Sequence, residues 1–212
     1  MAEFTLYCFA QSGNAYKAAL MLNLCGADWT PRFVDYFNGE TRTPEFRRIN
    51  PMGEVPVLEH GARRLGQSAV ILDYLAQHFG RFGWSSEDER REILRWLLFD
   101  NHKLTSYTAT LRFMLALAKT GENEVTAFLR QRSRTALAVL DAHLATNDFA
   151  VANRPTIADI SMCGYLFWPD EIGLSWTDEF PNIGRWLERI AALPGCVHPY
   201  ALMPGHPLPA KS

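Results

Sequence analysis

The sequence predicts an α+β protein in two parts: a βαβαββα half of about 80 residues, then a half that is helical throughout. Two observations carry this reading. The apolar period changes from two in "FTLYCF" to 3.6 in "AYKAALML", and such switches recur up to Gly83, beyond which every patterned stretch is helical. The composition shift at residues 80–86 is the expected boundary, giving domains at 1–80 and 86–200 and an irregular tail at 201–212, within a Pro-rich end that starts near His198. No internal repeat is visible.

In order, "FTLYCF" places Phe4, Leu6 and Cys8 on one strand face and Tyr7 and Phe9 on the other. Ala15, Ala18, Ala19 and Leu22 then follow helical spacing over residues 14–24, stopped by Gly26. "WTPRFVDY" offers a second strand, and "RTPEFRRIN" a short helix with Thr43 as N-cap and Pro44 at its first position. Two short strands follow, around Val55 to Leu58 and Arg63 to Leu65, joined at His60-Gly61. Ser68 is read as N-cap of "AVILDYLAQHF", whose stripe is Ile71, Leu72, Leu75 and Phe79.

In the second half, Ser86 and Glu89 suggest a capping box opening one long helix, straight or kinked, that runs to Gly121. Further helices are expected over 123–145, from Thr156 with Asp159 as its box partner, and between Pro181 and Pro194.

With 48% apolar residues in 212, the chain can bury a core without staples. A net charge of -2 and the absence of a basic run argue against nucleic acid as a partner. The four cysteines form no C-x-x-C pair, which suits a reducing cytosol, and six scattered histidines show no metal-ligand spacing, so no metal is expected. No stretch reaches membrane-span length and the N-terminus has no leader-like pattern, so a soluble, cytoplasmic protein is expected.

"INPMGEVPVLEHG" raises a specific question, because Pro56 interrupts a strand and has no amide hydrogen for a ladder. Taken alone it reads as an edge-strand proline beside a turn, "SGN" reads as a helix cap, and Ser68 likewise.

Four stretches in order alter these readings: "SGNAYKAALML", "TPEFRRINPMGEVPVLE", "GQSAVILDYLA", and "RPTIADI" with "FPNIGRWLERIAALPG". Over nearly its whole length the chain resembles the cytosolic glutathione transferases, a thioredoxin-like domain followed by a helical one. The resemblance implies a cis Val55-Pro56 bond whose edge offers the Val55 peptide groups to glutathione, bound as an added strand. It implies Gln67 and Ser68 at the γ-glutamyl carboxylate, where a helix N-terminus favours an anion. Asp100 is implied to reach the γ-glutamyl amine across a homodimer.

For catalysis the resemblance points to Ser12 as donor to the glutathione thiolate, assisted by Asn14, the residue some bacterial and fungal relatives use. Lowering a thiol pKa by about two units takes about 2.7 kcal/mol, within reach of one charge-assisted hydrogen bond plus a helix N-terminus. Cys8 lies inside the strand, so its own sulfur is not read as the nucleophile, and Tyr7 is a weaker candidate donor. Glu54 departs from the family, in which Lys or Gln commonly faces the glycyl carboxylate; Arg42 or Lys17 is a candidate to offset it. Tyr107, Leu111, Phe113 and Trp168 are candidates to line a hydrophobic electrophile site between the domains, although such spacing is commoner in cores. Transfer of glutathione, its co-substrate, to a small hydrophobic electrophile is the implied activity, with disulfide or hydroperoxide reduction and a non-catalytic binding or regulatory role as alternatives.

Overall fold

The computed structural model describes residues 2–208 as two compact units. One contains the described residues up to Arg81 together with those from Leu193 onward; the other is Phe82–Ala192. Among the described residues no helix is long and apolar enough to cross a membrane.

The first unit is built on a four-stranded sheet ordered β2-β1-β3-β4, from β1 (Phe4–Cys8), β2 (Trp29–Phe33), β3 (Val57–His60) and β4 (Arg63–Gly66). β2 runs parallel to β1 and lies at the edge, where Pro31 leaves no central ladder donor missing. β3 pairs antiparallel with both β1 and β4. Alternation sends Phe4, Leu6, Cys8 and Leu58 to one face, and all four are fully buried. Helices α1 (Gly13–Leu24) and α3 (Ser68–Phe79) pack on each other. Tyr7 and Val57, from the opposite face, pack with Val34 and with Phe46 of α2 (Pro44–Ile49), which Thr43 caps through the Phe46 N–H.

β3 begins at Val57 rather than Val55, because the cis Val55-Pro56 peptide stands ahead of the ladder. Ser68 is the first residue of α3 and not its N-cap, which is Gln67, held at φ 63 and ψ 116.

The second unit opens with α4 (Glu87–Phe99) and α5 (Thr105–Arg112), separated by a π-helical turn at Asp100–Leu104 and followed by another at Phe113–Leu117. Ser86 caps α4 through the Glu89 N–H, but the Glu89 carboxylate turns to the N–H and hydroxyl of Ser85 and to Arg154, so the expected box does not close on Ser86. α6 (Glu124–Leu144) starts with an Asn123–Thr126 box. α7 (Ile157–Met162) starts with the expected Thr156–Asp159 box, then tightens into a 3₁₀ turn. Short helices α8 (Pro169–Ile172) and α9 (Trp176–Glu179) precede α10 (Pro181–Ala191), whose Ile183, Trp186, Leu187 and Ile190 enter the core.

Asp159 does more than cap α7. Its carboxylate is fully buried and accepts from Ala150 N–H at 2.8 Å, Thr156 N–H at 2.9 Å, the Thr156 hydroxyl at 3.0 Å and Trp186 Nε1 at 2.9 Å. Burial pushes its pKa up, against the lowering effect of these four donors.

The chain end departs most from expectation. Instead of an irregular tail outside both units, the segment from Leu193 belongs to the first unit and includes α11 (Pro199–Leu202), in contact with α1. Its carbonyls satisfy donors of the first unit: Val197 accepts from the Tyr16 hydroxyl at 2.9 Å, Pro204 from Ala10 N–H at 2.7 Å, and Gly205 from Gln11 Nε2 at 2.8 Å. The proline-rich composition suppresses a long helix without preventing docking through backbone oxygens. Residues 209–212 of the expected tail lie outside the described residues.

Candidate functional site

The loop between β1 and α1 is tied on both sides. Ser12 N–H donates to Phe9 C=O at 3.0 Å, and the neighbouring Ala10 and Gln11 are bonded to the C-terminal segment. Ser12 is 6% exposed and caps α1, its Oγ accepting from Ala15 N–H at 3.1 Å. Accepting that bond leaves the hydroxyl proton free to donate, and no acceptor for it is present among the described residues. Asn14, on the first turn of α1, has a buried Oδ1 with no hydrogen-bond partner among the described residues. Ser12 and Asn14 therefore bring unspent hydrogen-bonding capacity to one helix N-terminus.

Tyr7 and Cys8 are placed differently. The Tyr7 hydroxyl accepts from Arg32 Nη1 at 3.0 Å and is hydrogen-bonded to Glu59, and burial raises its pKa. The Cys8 thiol is fully buried, which pushes its pKa up to about 12. Such a thiol stays protonated at neutral pH and is a poor nucleophile.

The edge before β3 is organised by Asn50, a residue the sequence reading overlooked. Its Nδ2 donates to Glu54 C=O at 2.8 Å and its Oδ1 accepts from Met52 N–H at 3.1 Å, so one buried side chain ties the loop together. Gly53 sits at φ +66, where an added Cβ would come within 2.9 Å of Thr41 C=O. The signal was present in "NPMG", since Asn, Pro and Gly together mark a turn. The ladders to β1 and β4 end at Val57, leaving Val55 outside both.

At the start of α3, Gln67 holds a positive φ that costs a non-glycine residue about 1–3 kcal/mol, a form of strain that clusters at binding sites. Its Nε2 donates to Glu54 Oε2 at 3.0 Å and contacts Met52 Sδ at 3.1 Å. Ser68 is buried beneath it. The structure thus joins Glu54 to Gln67. The Arg42 guanidinium lies against Gly39, and Lys17 is fully buried.

In the second unit Asp100 is 1% exposed, its carboxylate oxygens accepting from the hydroxyls of Thr105 and Ser161. Leu111 and Trp168 are core residues, the Trp168 ring carrying the Arg112 guanidinium 3.5 Å from its centroid. Tyr107 is half-buried with Arg132 over its ring, and Phe113 is exposed. A cleft of about 490 Å³ in this unit is lined by Leu166, Trp176, Pro181 and Leu187 among others, and by none of these four.

Comparison with known proteins bears on this arrangement. Residues 11–78 match the glutathione S-transferase N-terminal domain and residues 102–194 the C-terminal domain. A structure from Rhodopseudomonas palustris, described as a possible glutathione S-transferase, is 35% identical with a TM-score of 0.88, covering 93% of this chain and 98% of its own. The chain belongs to the glutathione S-transferase family. A glutathione S-transferase from Pseudomonas fluorescens is 32% identical with a TM-score of 0.87, covering 92% of this chain and 98% of its own. Elongation factor 1-gamma from Equus caballus is 29% identical over 194 residues, 88% of this chain and 44% of that protein. The transferase-family chain therefore spans less than half the length of that curated relative.

Proposed function

We propose that this protein is a cytoplasmic, homodimeric glutathione S-transferase that holds the glutathione thiol as thiolate and directs it at a small hydrophobic electrophile. The observation that carries the reading is Ser12, a buried hydroxyl whose oxygen caps α1 while its proton remains available at the helix N-terminus. Asn14 assists from the first turn through the N–H donors of its side-chain amide. Val55 supplies main-chain hydrogen bonds to the cysteinyl part of glutathione, and Gln67 and Ser68 receive the γ-glutamyl carboxylate at the start of α3. The same thiolate serves disulfide or hydroperoxide reduction, so the electrophile class decides among these chemistries.

One specific observation favours a binding or regulatory protein on the same scaffold. Gln67 Nε2 already donates to the Glu54 carboxylate, whose charge opposes a glycyl carboxylate. Likeness to elongation factor 1-gamma over 88% of this chain fits that second reading.

Calorimetry with glutathione, followed by an absorbance titration of the bound thiolate, tests the first reading. Ser12→Ala is expected to raise the bound thiol pKa by more than about one unit, and Ser12→Gly to do the same with a smaller stability loss, a few tenths against about 1 kcal/mol, because Gly is a tolerable cap. An unchanged titration in both variants moves the donor role to Asn14. Absence of glutathione binding in the unaltered protein leaves the scaffold reading standing.

A further inference from the structure

Glu3, His60 and His78 are remote in sequence and meet at one corner of the first unit. Glu3 stands just ahead of β1, His60 ends β3, and His78 lies in the last turn of α3. Glu3 Oε1 is 3.3 Å from Nε2 of His60 and 3.3 Å from Nε2 of His78. One ligand atom from each of the three residues lies within 4.8 Å of the others.

The two 3.3 Å separations from Glu3 match the edge of a tetrahedral metal centre, and the two imidazoles offer ligand atoms within 4.8 Å of each other. Bonds of about 2.0–2.2 Å from one ion to two imidazole nitrogens and a carboxylate oxygen in tetrahedral array place neighbouring ligand atoms about 3.3 Å apart. The same spacing exceeds the usual N–H···O range of about 2.7–3.2 Å. His60 Nδ1 is 2.6 Å from the Tyr74 hydroxyl, so with its proton on Nδ1 the ring presents a lone pair at Nε2 and keeps an outer partner that fixes its orientation.

Packing restricts both rings before any ion arrives. Phe4 lies against His60 with centroids 4.4 Å apart and meets His78 edge-on at 5.5 Å, while Tyr74 stacks along His78 at an interplanar angle of 19°. The side chains of His60, His78 and Glu3 are 24%, 32% and 46% exposed, so the corner is held from beneath and open to solvent above.

We propose that Glu3 Oε1, His60 Nε2 and His78 Nε2 bind a divalent transition cation, zinc by the character of the ligand set, with water in the fourth position. The ion links the start of β1 to the end of β3 and the end of α3, using none of the residues assigned to the thiol. Its role is to add a cross-link at the corner where β1 and β3 already pair and α3 packs over the buried Phe4 ring.

The test is titration of the tag-free full chain with zinc alone by calorimetry, and with cobalt(II) alone by ligand-field absorption. One ion per chain with a tetrahedral cobalt spectrum lacking thiolate charge transfer is expected. Binding should weaken by at least about tenfold in Tyr74→Phe and further in Glu3→Gln and His78→Asn. Failure of the unaltered protein to bind either ion, or equal binding by the Glu3 and His78 variants, overturns the proposal; the second result sends the ion elsewhere, as to Cys25 or Cys196. Glu3→Gln is isosteric at the surface and decides the matter should His78→Asn fail to fold.

Discussion

Ser12 shows how one hydroxyl caps a helix with its oxygen and keeps a proton to donate. Its oxygen completes the start of α1, an assignment legible from S-G-N before a helical pattern, but only the tertiary structure reveals that no acceptor among the described residues takes its proton. Glu54 is the opposite case: a charge whose oddity is visible in the sequence and whose partner, Gln67, thirteen residues away, is not. Replacing it supplies a direct check. Glu54→Lys is expected to tighten glutathione binding several-fold in calorimetry, with the gain shrinking as salt rises, because the exposed charge is screened over about 8–10 Å. No gain at low salt would separate residue 54 from the glycyl end. Cys8 gives a pH dependence. Burial holds its thiol to about 12 against an ordinary value near 9.0, so the folded chain keeps a proton that the unfolded chain releases. The associated stability is complete below about pH 9 and is lost as pH rises toward 12. Urea melts between about pH 9 and 10.5 should show the unaltered protein losing stability more steeply than Cys8→Ala, by about 1.4 kcal/mol per pH unit.

At the scale of elements, strands and helices with strong local signals were readable. Thr43, Thr156 and Asn123 cap helices through bonds that span two or three residues, and such short-range physics is written directly into the chain. The starts of β3 and α3 were not readable to the residue, since Val55-Pro56 and Gln67 adopt backbone states decided by what surrounds them. Glu89 likewise chose Ser85 and Arg154 over its expected partner. Asp159 was read as a local cap, yet it also joins α7 to Ala150 and to Trp186 of α10. Asp159→Ala should therefore cost about 3–5 kcal/mol in urea denaturation, well beyond the approximately 1 kcal/mol of a lost cap, because buried donors are left without an acceptor. A loss near 1 kcal/mol would reduce Asp159 to a capping residue.

Across the whole molecule, the mixed first half and helical second half were plain from the change of period near residue 80, whereas the route of the chain end was not. From Leu193 the chain joins the first unit and holds Ala10, Gln11 and Tyr16, residues next to the Ser12 turn. Ending the chain after Cys196 removes those three bonds and the buried Met203, a loss of about 3–6 kcal/mol at about 1 kcal/mol per bond plus one apolar side chain. Thermal melts should show the first unit weakened, and calorimetry a poorer glutathione affinity; an unchanged dissociation constant would detach the segment from the site.

By itself the amino-acid order determined where most helices and strands form and which faces are apolar, because capping and periodicity act over a few residues; locally S-G-N reads only as a helix cap, and it was the family resemblance that singled out its hydroxyl and amide. The tertiary structure alone decided what meets across long stretches of chain: Asn50 beneath the Glu54 loop, the C-terminal segment behind Ser12, and Glu3 beside His60 and His78. Those meetings follow from strand register and helix packing, which depend on the whole core closing at once and leave no short pattern in the sequence.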